Sequence, residues 1–144
     1  MTEADLPAVV ALAGLLHPHH PESAAVLAER LVLAPAGCHV LAEGRAVCGY
    51  ALVHPWTGLA PPPLDTLLGA LPALGAWHLH DIALLPEARG AGHAAALIAR
   101  WPRITLVAIP GTATYWAAQG FRDMPCADAA ALASYGAGAR FMAR

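Results

Sequence analysis

The spacing of apolar positions changes along the chain, and each change marks an element. From Glu3 to Leu16 the residues Leu6, Val9, Val10, Ala13 and Leu16 share one helical face, and Thr2 with Asp5 makes an acidic variant of the capping box. His17-Pro18-His19-His20-Pro21 ends that helix. A second is predicted from about Glu22 to Leu33, with Ala24, Leu27 and Leu31 recurring, and it stops before Pro35 and Gly37. Cys38 to Glu43 and Arg45 to His54 then flank Glu43-Gly44 as the arms of a hairpin. Pro55-Trp56-Thr57-Gly58 to Pro61-Pro62-Pro63 excludes regular structure, and a short helix is expected from about Leu64 to Leu71.

The stretch from Trp77 to Trp101 organises the rest. Trp77 to Leu85 is too short before Pro86 to make a convincing helix and has the look of a mostly buried strand. Glu87 to Gly92 turns the corner, and the Ala, Leu and Ile content from His93 to Trp101 favours a helix. A strand, glycine turn and helix leave free N–H groups at the positive end of a helix with Arg89 alongside, a site for a phosphate or pyrophosphate. Gly90-x-Gly92-x-x-Ala95 also matches a relaxed dinucleotide fingerprint, but that needs an acidic residue about 20 positions on. No Asp or Glu lies between Glu87 and Asp123, and a Walker loop fails for want of Gly-Lys-Ser/Thr. Beyond it, Ile104 to Ile109 is a buried strand by its β-branched content. A helix from about Thr112 to Gln119 follows, Phe121 opens another strand, and Ala139 to Arg144 is the last.

Composition narrows the class. The 144 residues are predicted to form one domain, 58% apolar and 12% charged, with a net charge of −2 that argues against a nucleic-acid surface. No apolar run reaches the length of a bilayer span, and Met1-Thr2-Glu3-Ala4-Asp5 has no signal-peptide character, so a soluble cytoplasmic protein is expected. Cys38, Cys48 and Cys126 are odd in number and lack metal-type spacing, which fits reduced thiols and no metal site. The three clustered histidines at His17, His19 and His20 read as an exposed loop. The high apolar fraction leaves room for a homodimer interface.

Arg89-Gly90-Ala91-Gly92-His93-Ala94, following Ile82-Ala83-Leu84-Leu85-Pro86, resembles the R-x-x-G-x-G/A signature of the GNAT-type N-acetyltransferases. Ala113 to Gln119 leading into Gly120-Phe121 resembles the second landmark of that family, and the resemblance covers most of the chain. It implies an α/β fold, a twisted and mainly antiparallel sheet flanked by helices. It also implies acetyl-CoA as cofactor, with its pyrophosphate on the amides from Arg89 to Ala94. By the same resemblance Ile82, Ala83 and Leu84 lie along the cofactor and a backbone N–H near Leu84 meets the thioester oxygen, while Trp116, a departure from the family's pattern, is read as shaping the thioester pocket. The activity implied is acetyl transfer to the primary amine of a small molecule, with a non-catalytic acyl-CoA sensor as the alternative. Family members carry a strand before the first helix that is absent here. The helix after Gly92 is shorter than theirs, which should expose part of the sheet or cofactor.

Acetyl transfer requires the amine, with a reference pKa of ~10, to lose a proton. His78 and His80, two apart on a strand, project from one face, and histidine suits proton movement at neutral pH. His78-Leu79-His80 resembles the serotonin (arylalkylamine) N-acetyltransferases, in which two such histidines conduct the proton away; ordinary hydrogen-bonded sheet histidines are the plain alternative. Asp81, expected on the opposite face, is the reserve base. The family's usual tyrosine acid falls at Trp116, which cannot serve, leaving Tyr115 or Tyr135 as substitutes. Cys48 as an acyl-carrying nucleophile has nothing nearby to activate it. The acceptor side of the cleft is expected from His17 to Glu22 and from Pro55 to Leu64.

Overall fold

Thr2 donates its backbone N–H and its hydroxyl to the Asp5 carboxylate, at 2.7 and 3.0 Å, and the chain enters helix α1, Leu6–Leu16, through a 3-10 turn. The structure, a computed structural model, describes every residue except Leu74. α2, Ala24–Leu33, follows Ser23, and its last turn runs into a 3-10 turn at Pro35–Gly37. The hairpin strands are β1, Cys38–Glu43, and β2, Ala46–Trp56. Strand β3, Ala76–Leu84, is followed by α3, His93–Ile98, and β4, Ile104–Ala108. Helix α4, Ala113–Ala118, strand β5, Arg122–Asp123, helix α5, Ala129–Ala133, and strand β6, Arg140–Ala143, complete the chain.

The strands form one sheet in the order β1-β2-β3-β4-β6-β5. Every pairing is antiparallel except β3 with β4, so the sheet is mixed and mainly antiparallel, as the family resemblance implies. Two irregularities in β3 position everything functional. Val53 pairs with Leu79 and Leu52 with Asp81, which leaves His80 as the extra residue of a β-bulge. On the other edge, β3 and β4 pair only from Trp77–Ile104 to Leu79–Leu106. Past Leu79 the two strands part, and the β3 edge from His80 to Leu84 has no strand beside it.

Helices cover both faces. Under α3 and α4 lie Val53, Leu79, Ile98, Trp101, Ile104, Leu106, Trp116, Phe121 and Met142. Under α1 and α2 lie Val9, Leu12, Leu27, Leu31, Cys38, Tyr50, Leu52 and Ala83. A completely buried leucine such as Leu27 contributes about 1.5–3 kcal/mol by leaving water. The second face is apolar only in part. Its remaining area carries His54, His78 and His80, all buried.

Four local expectations differ from the structure. β2 continues through Pro55 to Trp56, beyond Leu52, where pairing with β1 ends and a residue without an N–H is accommodated. The segment from Leu64 to Leu71 is irregular rather than helical. The N–H groups of Leu68 and Gly69 donate to Glu29, at 2.7 and 2.8 Å, instead of to carbonyls of their own segment, and Asp65 has a φ of 52°. α3 ends at Ile98, short of Trp101, whose ring is buried just before Pro102. The alanine-rich α5, capped by the Asp128 side chain accepting from the Ala131 N–H at 2.9 Å, has no counterpart among the predicted elements. Beside the short α3 a depression of about 330 Å³, lined by His39, Leu41, Ala51, Leu84 and Leu97, leaves that part of the sheet face open.

Candidate functional site

Where β3 and β4 part, a cleft of about 720 Å³ opens between Ile82, Ala83 and Leu84 on one side and Ile109, Thr112 and Tyr115 on the other. Its floor includes Gly90, Gly92, His93 and Ala94. Gly90 and Gly92 have φ of 81° and 80°, left-handed values that a side chain resists, and no neighbouring atom lies within 4 Å of where a Cβ would stand. The turn therefore needs glycine for its backbone, and it leaves open space over it. Among the described residues, the N–H groups from Gly90 to Ala94 meet no backbone acceptor. Arg89 folds back so that its Nε donates to the Leu84 carbonyl at 2.9 Å, which ties the loop to the end of β3. Donors at a strand-to-helix turn beside a roomy cleft suit a phosphorylated ligand.

A second cavity, of about 110 Å³, lies deeper between the sheet and the segments after α1. It shares His17, Ile82, Ile109, Thr112 and Trp116 with the cleft, so the two adjoin along these residues. The buried Trp116 ring stands between them, edge-on to Phe121 and to Tyr115. The cavity's polar lining comes from His17, His20, Glu22, His80, Asp81, Thr112 and Tyr135.

The bulge explains why adjacent residues of β3 both reach this cavity. An undisturbed strand would send His80 and Asp81 to opposite faces, as the alternation rule predicts. Here both turn toward α1 and α2. His80 Nε2 lies 2.9 Å from a Glu22 carboxylate oxygen, while Asp81 accepts from the Tyr50 hydroxyl and lies 3.1 Å from His17 Nε2. The expectation that Asp81 opposes the histidines is thus corrected by the extra residue. His78 takes no part in either lining. Its Nδ1 is 2.9 Å from the Thr105 hydroxyl, which in turn donates to the Trp77 carbonyl at 3.3 Å. His54, not singled out by the sequence, stacks within 5.5 Å of the His78 ring and 5.8 Å of the His80 ring, and its Nδ1 donates to the Pro55 carbonyl.

Burial and neighbours divide these groups by charge. Burial holds His78 well below the ordinary histidine value and brings His54 down to about 4, so both are neutral. His17 moves the other way: its contact with Asp81 raises its pKa against the effect of burial, and Glu22 adds to the rise. Burial alone would raise the Asp81 carboxyl, but His17 and then Tyr50 hold it below the usual carboxylate range. The Tyr50 phenol is pushed far up by burial and by Asp81, so it keeps its proton and donates.

The remaining sequence candidates fall as follows. Tyr115 lines the cleft and is 46% exposed, whereas Tyr135 is buried at the cavity wall, its hydroxyl donating to the Pro62 carbonyl at 2.7 Å. Cys48 lines neither cavity and donates to the Leu41 carbonyl. Trp56, within the Pro55 to Leu64 segment expected on the acceptor side, lies outside both, its Nε1 donating to the Ala60 carbonyl at 2.7 Å. On the acceptor side, His17, His20, Glu22 and Leu64 line the cavity and Pro55 to Leu59 do not. The reading of His17 to Pro21 as an exposed loop is corrected. Pro18 and His19 are exposed, but His17 and His20 are half-buried and face inward. Three histidines at the end of an amphipathic helix were the available signal.

No protein-family model and no curated protein matches the chain by sequence. Solved structures share its fold. The GphF GNAT-like decarboxylase in complex with isobutyryl-CoA is similar with a TM-score of 0.74 at 19% identity, over 99% of this chain and 95% of that one. Naa20 of Chaetomium thermophilum, in complex with a bisubstrate analogue, is similar with a TM-score of 0.68 at 15% identity, over 100% and 83%. The ribosomal-protein-S18-alanine N-acetyltransferase from Escherichia coli gives 0.63 at 16% identity, over 99% and 88%. The fold is that of the GNAT acyltransferases.

Proposed function

We propose that this chain, on its GNAT fold, moves the acetyl group of acetyl-CoA directly to the primary amine of a small molecule. The observation that carries the reading is that the two cavities adjoin at Trp116 and His17. A thioester lying along the unpaired edge of β3 would present its carbonyl where a nucleophile held in the inner cavity can reach it. Structures of the same fold hold isobutyryl-CoA and a bisubstrate analogue, which supports a CoA thioester as the donor. When bound, that donor supplies an activated acyl group. The chain's own part is to fix it: the amides from Gly90 to Ala94 and the free Arg89 guanidinium nitrogens for the diphosphate, and the backbone from Ile82 to Leu84 for the thioester arm. His80 and Asp81 face the acceptor, with His78 behind them, and Tyr115 lines the cleft as a proton donor for the departing sulfur.

The choice of a small acceptor rests on a strap. Residues 62–69 run across the acceptor side, pinned at one end by the Tyr135 hydroxyl on Pro62 and by the Leu64 N–H on the Ser134 hydroxyl at 2.9 Å. At the other end Arg30 donates to the Thr66 carbonyl at 2.8 Å, and Glu29 holds the Leu68 and Gly69 amides. Of this segment Leu64 lines the cavity, and a pinned segment beside the entrance favours a compact acceptor over a protein N-terminus. Charge points to an amine. Glu22 and Asp81 both line the cavity, which favours an ammonium ion and disfavours the carboxylate that a substrate for decarboxylation would carry. A cytoplasmic setting belongs to the same proposal and suits three free cysteines.

The test is release of free CoA thiol from acetyl-CoA across a panel of small primary amines and an N-terminal peptide. Turnover with an amine and not with the peptide supports the reading. Stabilisation by CoA with no turnover on any amine would leave the sensor instead, since a ligand at 100 times its Kd adds about 2.7 kcal/mol whether or not it reacts.

A further inference from the structure

Transfer to an amine needs a group that takes the proton at the place where donor and acceptor meet. Among the histidines of the site only His17 borders both the cleft and the inner cavity. His78 and His54 border neither. His80 is engaged by Glu22 with its side chain closed off from solvent, and His20 Nε2 donates to the Tyr135 carbonyl at 3.0 Å. His17 follows the last residue of α1, and its side chain keeps 22% of its exposure. Its Nε2 faces Asp81 at 3.1 Å, and the second oxygen of Asp81 takes the Tyr50 hydroxyl. The carboxylate is thereby oriented from behind, and it faces a His17 Nε2 that, among the described residues, makes an ion-pair contact and no aligned hydrogen bond.

We propose that His17, oriented by Asp81 and Tyr50, is the base that receives the proton of the acceptor amine. The inference rests on the transfer reading above. The Asp81 carboxylate, 3.1 Å from Nε2 and held from behind by Tyr50, favours the imidazolium and so makes the ring more basic. The bound ammonium gives its first proton to the His17 ring, leaving an imidazolium that Asp81 stabilises and that passes the proton to water at the cleft mouth. The neutral amine then forms its bond to the thioester carbonyl carbon, and the carbon–sulfur pair leaves with sulfur. The second proton shed by nitrogen goes to water, and the thiolate takes one from Tyr115, itself reprotonated by water, or directly from water. The charged groups facing His17 are Asp81 from the sheet and Glu22 from the segment before α2, both favouring the imidazolium; Arg89 lines the same cleft but is turned toward Leu84.

The experiment compares kcat/KM against pH for the wild type, His17→Gln and Asp81→Asn with one accepted amine, alongside CoA affinity by calorimetry. His17→Gln should lose about 10²–10⁴-fold in kcat/KM and its acid limb while binding CoA within about threefold of wild type. Asp81→Asn should lose less and move the acid limb to lower pH. A His17→Gln enzyme within threefold of wild type, with its acid limb unmoved, overturns the proposal and leaves the transfer reading standing. A wild type that binds CoA and acylates no amine overturns both. An NMR titration of the wild-type histidines and of Asp81→Asn reads the pair without turnover. A His17 resonance titrating at the ordinary histidine value, and indifferent to Asp81→Asn, also overturns it.

Discussion

His17 Nε2 stands 3.1 Å from Asp81 Oδ1, a pairing between the end of α1 and the bulge of β3. Its effect on stability has a defined pH window. The raised pKa of His17 means that its contribution is fully present below the unfolded value of about 6.5 and is lost as pH rises through the folded value. The lowered pKa of Asp81 means that its contribution is present above the unfolded value and lost as pH falls through the folded one. Both hold between about pH 4 and 6.5. Asp81→Asn should therefore destabilise by about 1–3 kcal/mol at pH 5.5, and by less at pH 9, in denaturant unfolding. An equal loss at both values would mean that the pair carries no linked charge.

Gly90 and Gly92 differ from a packed glycine, because a methyl group would meet nothing and only the left-handed φ resists it. Gly90→Ala and Gly92→Ala should each cost about 1–2 kcal/mol of stability. The turn should relax toward negative φ and misdirect its amides, so CoA affinity should fall at least about tenfold, a change of about 1.4 kcal/mol. Calorimetry with CoA, paired with thermal unfolding without it, separates the two effects. Unchanged affinity would place the diphosphate elsewhere.

These glycines also show what the sequence makes legible. Pro86, Gly90 and Gly92 act on their own backbone, so the strand, the turn and the start of α3 are read from adjacent residues. The face of Asp81 is not, since the bulge arises from the register of β3 against Leu52 and Val53 of β2. The helix expected at Leu64 to Leu71 fails for a similar reason. Glu29, distant in sequence, captures the Leu68 and Gly69 amides that a helix would use internally. His17 looked like a loop residue because its partner lies on a strand far along the chain. Local rules found the cleft, and non-local pairing built the acceptor side.

The strap should be loosened by Tyr135→Phe, which removes the donor to the Pro62 carbonyl and keeps the ring at the cavity wall. A hydrogen bond of this kind contributes about 0.5–1.5 kcal/mol, so the fold should survive. The acceptor should bind more weakly, with KM for the amine raised several-fold and kcat nearly unchanged. A peptide acceptor should gain relative to the small amine. A fall in kcat with KM unchanged would instead put the Tyr135 hydroxyl in the chemistry.

Trp116 sets how far the acyl end can extend. Its ring is buried against Phe121, and it forms the partition between the cleft and the cavity of about 110 Å³. Trp116→Ala should cost about 3–5 kcal/mol through lost contacts and the void left behind, which a marginal domain can fail to tolerate. Trp116→Phe removes less volume and is the better probe. It should enlarge the junction enough for a branched acyl group, raising kcat/KM for isobutyryl-CoA relative to acetyl-CoA by about tenfold, since one or two methylene-sized contacts are worth roughly 1–3 kcal/mol of discrimination. The comparison is internal to one variant, so a general loss of stability cancels from the ratio. An unchanged ratio in a folded Trp116→Phe protein would mean that the acyl group does not meet this ring, and the thioester would then have to lie on the other side of the cleft, toward Leu84 and Arg89.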